Sequence, residues 1–144
     1  MFTLDARLRE DTIVVGAFEL SLVLLHRDAN YPWCILVPQV ASISEIHHLE
    51  LGDQRRLIRE SSQLAQAMVD NFAPDKMNVA ALGNIVSQLH IHHVARYQSD
   101  AAWPGPIWGA VSAKSYGEEA LNLRVERLRS ALSGEGFTSE PDAR

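Results

Sequence analysis

The chain is poor in cysteine, in basic charge and in long apolar runs, and each shortage excludes a class of protein. Cys34 is the only cysteine, so no internal disulfide can form, as is usual in a reducing compartment. The 13 basic residues are outnumbered by 18 acidic ones, for a net charge of −5. No global positive field therefore recruits nucleic acid or an anionic membrane, and any phosphate-bearing ligand must be held by a local site.

No segment is suited to crossing a membrane. The longest apolar stretch, residues 20–25, is far shorter than the roughly 20 residues that span a bilayer. Residues 1–10 are rich in charge and contain nothing like the apolar part of a secretory signal. We expect a cytoplasmic protein without a membrane partner, in which Cys34 is a packed thiol.

What the chain does contain is the balance of an ordinary globular protein, with 47% hydrophobic and 22% charged residues. Its 144 residues are enough for one domain with a proper core, which we place at residues 1–133. Residues 134–144 hold few apolar side chains, and we expect this tail to be disordered.

Alternating and β-branched segments predict five strands, and helical spacing predicts two helices. The strands are expected at 12–15, 18–25, 33–37, 77–82 and 89–95, with a long helix over 50–72 and a last helix around 121–132. Ser115 and Glu118 form a candidate capping box for the last helix, and Gly134 a stop. This order predicts an α+β fold, a five-stranded antiparallel sheet with one long helix and a C-terminal helix.

The residues most suited to chemistry lie in the stretch 88–96, which reads Gln-Leu-His-Ile-His-His-Val-Ala-Arg. Alternate side chains of a strand share a face, so Gln88, His90 and His92 are expected together and His93 opposite them. A neutral imidazole is a good nucleophile near neutral pH, and a second one can protonate a leaving oxygen. The pattern is suited to phosphate chemistry, but a His-x-His pair alone is weak evidence for it.

Two other interpretations of these imidazoles remain open. Histidines at alternate strand positions can ligate zinc, but no cysteine or carboxylate in the stretch completes a tetrahedral set, and we expect no metal. A His-x-His pair on a strand can also be structural. We expect His93, on the other face, to be a satisfied and half-buried side chain.

With its surroundings, this stretch resembles the signature of the histidine-triad family of nucleotide hydrolases and transferases, His-φ-His-φ-His-φ-φ, in which φ is apolar. Gln88, His90 and His92 occupy the three histidine positions. Gly83-Asn84 is similar to the family's Gly-Gln pair, which approaches the phosphates.

The resemblance extends on both sides of the signature. Arg96 and the Trp-Pro-Gly-Pro segment at 103–106 resemble a Trp-Pro-Pro-Gly segment of one family branch. Residues 76–84 are similar to a stretch of bacterial members described as diadenosine tetraphosphate hydrolases. The resemblance covers residues 14–108, and it implies the family's five-stranded antiparallel fold.

The resemblance implies a homodimer without a cofactor that cleaves a nucleoside polyphosphate or phosphoramidate at the α-phosphorus. His90 would form a covalent nucleotidyl-histidine that water then hydrolyses, and His92 would protonate the leaving group. Asp28 would bind ribose or simply form a turn, and Asn78 would contact phosphate or simply end a strand. The remaining implied phosphate-holding residues are Gln88, Asn84 and Gly83.

Departures from the family pattern leave alternative functions open. Glutamine at 88 cannot carry a proton at neutral pH, and Trp33 stands where many members have a further histidine. Both changes favour a nucleotide-binding module with little turnover. A nucleotidyltransferase or phosphorylase would use the same intermediate, but the resembling uridylyltransferases have glutamine at the last triad position, where this chain has His92. A frame that starts the triad at His90 loses the family's distances to Gly83-Asn84.

Overall fold

A computed structural model describes residues 1–134 and 136–141 of the chain. The predicted α+β class is confirmed, since a five-stranded antiparallel sheet is combined with helices. Within the described residues the elements are α1 (Ala6–Asp11), β1 (Thr12–Ala17), β2 (Ser21–His26), β3 (Trp33–Pro38), a 3-10 turn (Ile46–His48), α2 (Leu51–Phe72), β4 (Lys76–Ala80), β5 (Ile91–Arg96) and α3 (Glu118–Leu132).

The order of strands in the sheet brings the histidine-rich strand to its interior. The order is β1-β2-β3-β5-β4, and every neighbouring pair is antiparallel. In the β3–β5 pair, Trp33 lies opposite Val94 and Ile35 lies opposite His92. Because side chains of a strand alternate between faces, Trp33, Ile35 and His92 share one face of the sheet.

Both faces of the sheet are covered, which gives the protein two apolar clusters. One cluster joins the sheet to α2 and α3, and the other joins it to α1 and to the segment around Ile107. The first cluster includes Leu25, Cys34, Leu64, Met68 and Leu128, and the second includes Leu8, Leu24, Trp33, Ile35 and Val94.

Helix α2 is held to the sheet by its apolar face and by one buried carboxylate. Leu64 and Met68 are fully buried at helical spacing. Glu60, on the same face, accepts the backbone N–H groups of Leu20 at 2.9 Å and Ser21 at 3.0 Å. These bonds satisfy the turn between β1 and β2, which would otherwise bury unpaired donors.

Two features of the helices differ from the sequence expectations. Helix α1 is only six residues long, so it has almost no periodic signal; Asp5 caps it by accepting a backbone N–H two residues on. The capping box at Ser115 is wrong, because the N-cap of α3 is Gly117 and no side chain caps it. Ser115 instead forms a β-bridge with Asp28.

Three strands are shorter than the sequence predicts, because residues at one end of each belong to a loop or turn. The second strand starts at Ser21, since Phe18 donates its N–H to the Ser21 carbonyl in a turn at 2.8 Å. The fourth strand ends at Ala80, and the fifth begins at Ile91. The chain between Ala80 and Ile91 is therefore a longer loop than expected.

The described part of the expected disordered tail contacts the sheet. The Phe137 ring meets Phe18 edge-on at 5.5 Å, and Thr138 exchanges backbone hydrogen bonds with Ala17 at 2.8 and 2.9 Å. An apolar ring and a strand edge thus offer this part of the tail a partner. Glu135 and residues 142–144 of the expected tail lie outside the described residues.

The side chain of Cys34 is packed inside the protein. Cys34 is completely buried between strands, and this burial raises the pKa of its thiol to about 12. A thiol with such a pKa is unreactive at neutral pH.

In the part of the chain that the structure describes, no helix has both the length and the apolar character needed to span a membrane.

Candidate active site

A pocket of about 310 Å³ lies on the sheet face that α1 covers. Its wall is built from α1, the end of β2, the centre of the sheet at β3 and β5, and residues 82–86 of the loop before β5. Apolar side chains form most of this wall, and three imidazoles are among its polar groups. The polar and aromatic side chains that line it include His26, Asn84, His90, His92 and Trp108.

His90 lies one residue before β5, with its ring orientation fixed by the backbone. Its Nδ1 is 2.7 Å from the carbonyl oxygen of Gln88. A carbonyl oxygen only accepts, so Nδ1 carries the hydrogen of the neutral ring and the lone pair is on Nε2. This tautomer can attack an electrophile through Nε2 without first losing a proton.

His92 is close to His90 but is bonded to the protein through both nitrogens. The two rings meet edge-on with centroids 4.9 Å apart. The indole Nε1–H of Trp33 donates to Nδ1 of His92 at 3.1 Å. Because Nδ1 accepts, the ring hydrogen is on Nε2, which donates to the Leu82 carbonyl at 3.1 Å.

The environment of His92 also determines its charge. Burial lowers the pKa of His92 to about 4, the Leu82 carbonyl opposes this change, and neighbouring imidazoles add to it. His92 is therefore neutral at pH 7, so it is not an imidazolium that could protonate a leaving group. The geometry differs in this respect from the sequence expectation for His92, which took no account of its burial.

His26 is a pocket residue that the sequence analysis missed. It ends β2 and stacks on Trp33 with ring centroids 3.7 Å apart and planes within 3° of parallel. The backbone N–H of Asp28 donates to its Nδ1 at 3.0 Å, so Nε2 carries the hydrogen of the neutral ring. The available signal was its alternation with Leu22 and Leu24, which places it on the same face as the pocket.

Gln88 does not join the histidines through its side chain. It lies in the loop before β5, and its amide accepts the N–H of Asp5 at 2.9 Å and donates to the carbonyl of Thr3 at 2.9 Å. The expected alternation fails because the strand begins only at Ile91. Gln88 contributes to the pocket through its backbone carbonyl, which orients His90.

Gly83 and Asn84 line a pocket together with His90. A Cβ on Gly83 would come within 2.8 Å of the Val86 carbonyl oxygen and 3.5 Å of the His90 ring, so only glycine permits this close approach. Asn84 lines the main pocket and also a second one, of about 360 Å³, which shares His90 with it. Asn84 and His90 thus line the same two pockets.

Asp28 and Asn78 are engaged elsewhere in the fold. One carboxylate oxygen of Asp28 accepts hydrogen bonds from Asn30 and from the backbone N–H of Lys114 at 3.1 Å. Asn78 accepts a hydrogen bond from the Arg96 guanidinium at 2.8 Å. Neither residue lines the pocket of His90. The bond from the Asn30 N–H is that of a turn-forming Asp28, whereas Asn78 lies in the middle of β4 and does not end it.

His93 faces away from the pocket and is fully buried. Its Nδ1 donates to the carbonyl of Ile91 at 3.0 Å, and its Nε2 lies 2.7 Å from the Ser61 hydroxyl. It is thus satisfied, and burial lowers its pKa to about 4. Within residues 1–134 and 136–141, no group of three or more histidine, cysteine or acidic side chains is arranged to hold a metal ion.

Most of the chain is similar to solved structures of histidine triad proteins. A histidine triad protein from Marinobacter aquaeolei VT8 is 49% identical with a TM-score of 0.89, covering 92% of this chain and 96% of that one. One from Bradyrhizobium japonicum is 41% identical with a TM-score of 0.90, covering 92% and 98%. A hypothetical histidine triad nucleotide-binding protein from Sulfolobus tokodaii strain7 is 14% identical with a TM-score of 0.66, covering 86% of each chain, and shares the fold.

A search among curated proteins finds no match to this chain. The model of the HIT domain, in contrast, matches residues 7–99, a range that contains the whole sheet, all of α1 except its first residue, and both His90 and His92. Proteins with this domain are generally nucleotide hydrolases or transferases. The chain belongs to the HIT domain family of histidine triad proteins.

Proposed function

We propose that the protein is a nucleotide hydrolase that acts through a covalent intermediate on His90. The observation that supports this most is the bond from Nδ1 of His90 to the Gln88 carbonyl, which keeps the lone pair on Nε2. A nucleotidyl-histidine formed through Nε2 requires this tautomer at the attacking residue. The substrate class is a nucleoside polyphosphate, such as diadenosine tetraphosphate, or a nucleoside phosphoramidate.

The reaction would proceed in two steps on one nitrogen. The Nε2 lone pair of His90 attacks the α-phosphorus, and the bond from phosphorus to the leaving group breaks with its electron pair on that group. A phosphate leaving group departs as its anion, whereas an amine takes up a proton from solvent as it leaves. Water then adds to the phosphorus and gives a proton to solvent, the phosphorus–nitrogen bond breaks with its electron pair on Nε2, and the nucleoside monophosphate leaves. No cofactor is needed for either step, because an imidazole and fixed amide donors can carry the charge changes.

The other pocket residues would support this chemistry by position. Gly83 and Asn84 would hold the non-bridging phosphate oxygens, since they lie beside His90. Gln88 would orient His90 through its carbonyl. His92 would act as a neutral donor that fixes the loop, because its Nε2–H is bonded to Leu82.

Turnover of a substrate panel tests this proposal. Wild-type protein would be incubated with dinucleoside polyphosphates and nucleoside phosphoramidates, and the products separated by chromatography. His90→Ala should abolish release of the nucleoside monophosphate. His47→Ala is the matched control, because that imidazole is exposed outside the pocket, and it should keep wild-type activity.

The intermediate itself can be observed by mass spectrometry of the intact protein after brief mixing with substrate. A nucleotidyl mass should appear on wild type, disappear on acid treatment and be missing from His90→Ala. A fall in activity of less than tenfold in a folded His90→Ala protein, or an adduct that maps to another residue, would refute His90 as the nucleophile.

A nucleotide-binding module with little turnover is the second candidate. The side-chain amide of Gln88 is occupied by Thr3 and Asp5, and His92 is held neutral, so two residues of the signature have no proton to offer. Micromolar nucleotide affinity without an adduct and without product would favour this candidate over the hydrolase.

A further inference from the structure

We propose that Trp33 is a positioning residue, whose indole N–H fixes the tautomer of His92 so that His92 holds the Leu82 carbonyl and the adjoining loop beside His90. This inference rests on the proposed function, in which the loop at Gly83 holds phosphate next to the nucleophile.

The direction of each hydrogen bond in this chain of contacts is fixed by chemistry. An indole nitrogen only donates and a carbonyl oxygen only accepts. Trp33 donates to Nδ1 of His92 at 3.1 Å, and Nε2 of His92 lies 3.1 Å from the Leu82 oxygen. Only the neutral ring with its hydrogen on Nε2 satisfies both contacts. Trp33 therefore determines which nitrogen of His92 can bind the loop.

The Trp33 ring is itself held in place. It is 8% exposed, stacks on His26 with centroids 3.7 Å apart, and meets Trp108 edge-on at 6.3 Å. Its backbone lies in β3, paired with Val94 of β5. A donor on such a fixed ring can orient its partner, because neither the ring nor the strand is free to rotate away.

The hydrogen bond from His92 to the Leu82 carbonyl also holds the loop that contains Gly83. Leu82 directly precedes Gly83, where an added Cβ would lie 3.5 Å from the His90 ring. If the hydrogen of His92 moved to Nδ1, its Nε2 lone pair would face the Leu82 carbonyl, and two acceptors would repel each other. The loop would then lose its bond to the sheet at the point nearest the nucleophile.

A role in packing alone makes a different prediction. Packing requires the area and shape of the Trp33 ring but not its nitrogen. Trp33→Phe keeps an aromatic ring against His26 and removes the donor, so it separates the two roles. Trp108→Phe is the matched control, because Trp108 contacts the His92 ring edge-on at 5.1 Å in the same pocket, without the hydrogen bond that Trp33 makes.

The test is nitrogen NMR of the full chain labelled with ¹⁵N-histidine, which reads tautomers without any substrate. Wild-type His92 should show hydrogen on Nε2. In Trp33→Phe the two tautomers should mix, and the pKa of His92 should rise by about 0.5–1 unit, as expected for loss of one donor to the basic nitrogen. Amide exchange at Gly83 and Asn84 should become faster. Trp108→Phe should leave the tautomer of His92 unchanged.

Activity provides a second measurement on the same variants. Turnover by Trp33→Phe should fall about 3- to 10-fold, the effect of one hydrogen bond, with KM within about twofold of wild type because the pocket lining is kept. A wild-type His92 with hydrogen on Nδ1 overturns the inference even if Trp33→Phe does not fold. An unchanged tautomer, pKa and exchange rate in a folded Trp33→Phe protein also overturns it.

Failure of the proposed function would look different. If His90→Ala keeps full turnover, or wild type turns over nothing, His90 is not a nucleophile. The NMR measurements on His92 still decide whether Trp33 fixes its tautomer and the loop.

Discussion

Replacing Asp100 with asparagine is expected to cost the protein about 3–5 kcal/mol of its free energy of unfolding, the usual cost of breaking a buried ion pair. The Arg96 and Asp100 side chains are only 2% and 3% exposed. Arg96 donates to the two carboxylate oxygens of Asp100 at 2.8 and 3.1 Å. Its guanidinium also lies over the rings of Tyr31 and Trp103, where water cannot replace a lost partner.

The hydrogen bonds of the Asp100 carboxylate give a second figure for the loss of unfolding free energy. One oxygen of Asp100 accepts Arg96 Nε and the N–H of Tyr97, and the other accepts Arg96 Nη2 and the N–H groups of Ala102 and Trp103. Whichever oxygen the asparagine NH₂ replaces, at least two buried donors lose their acceptor. At about 1–3 kcal/mol for each unsatisfied donor, the loss is about 2–6 kcal/mol, in agreement with the first figure.

Urea denaturation followed by circular dichroism measures this loss. The matched control is Glu126→Gln, because Glu126 is 69% exposed in its pair with Arg129, and such a pair is worth at most about 1 kcal/mol. Arg96→Met combined with Asp100→Asn should be less destabilised than the sum of the two single variants, since the double variant leaves no unpaired charge. A loss below about 1 kcal/mol for Asp100→Asn, equal to the control, would refute the reasoning.

The same ion pair predicts a dependence on pH. Burial would raise the pKa of Asp100, but the bonds from Arg96 and from backbone N–H groups outweigh it and hold that pKa well below its usual range. The unfolded chain therefore binds the proton more readily. The stability from Asp100 is complete above the unfolded pKa of about 3.9 and is lost as pH falls from there through the lower folded pKa. Denaturation between pH 7 and 3 should show this decline, and Asp100→Asn should show less of it.

Four further results are expected. Gly83→Ala should lower turnover without unfolding the protein, because the added Cβ would lie 2.8 Å from the Val86 carbonyl and force the loop to shift; wild-type kinetics in this variant would contradict the close approach. Gly16→Ala should lower the urea midpoint, because its Cβ would collide with the Phe137 ring and the Thr138 carbonyl; an unchanged midpoint would mean that this packing contributes nothing. Light scattering at micromolar concentration should give the mass of a homodimer, since β4 is an edge strand on which Val79 is 51% exposed, and a monomer mass would rule this out. Dialysis against a chelator should leave turnover of a metal-free substrate intact, and activity that returns only with zinc would make the imidazoles ligands.

The elements with a strong periodic pattern were predictable from the sequence. Helix α2 is observed at Leu51–Phe72 against an expectation of 50–72, because a long amphipathic pattern has few alternatives. The strands around Cys34 and Ile91 follow from their apolar and β-branched composition. Helix α1 and the cap of α3 were not predictable, because six residues give little periodicity and caps depend on local geometry.

The two neighbouring histidines of the pocket were also predictable from the sequence. His90 and His92 lie two residues apart, and the structure places their rings 4.9 Å apart. Gly83 likewise lies beside His90, as its place in the signature indicates. A local pattern can predict such neighbours, because they are close in the chain or fixed by one strand.

What only the tertiary structure decided is the state of each polar group. Gln88 bonds to Asp5, 83 residues away, instead of facing the histidines. Trp33 donates a hydrogen bond to His92, 59 residues away, and burial makes that imidazole neutral. His26 enters the pocket because β2 lies next to β3. Tautomer, charge and orientation depend on burial and on partners distant in the chain, and no local pattern of residues contains that information.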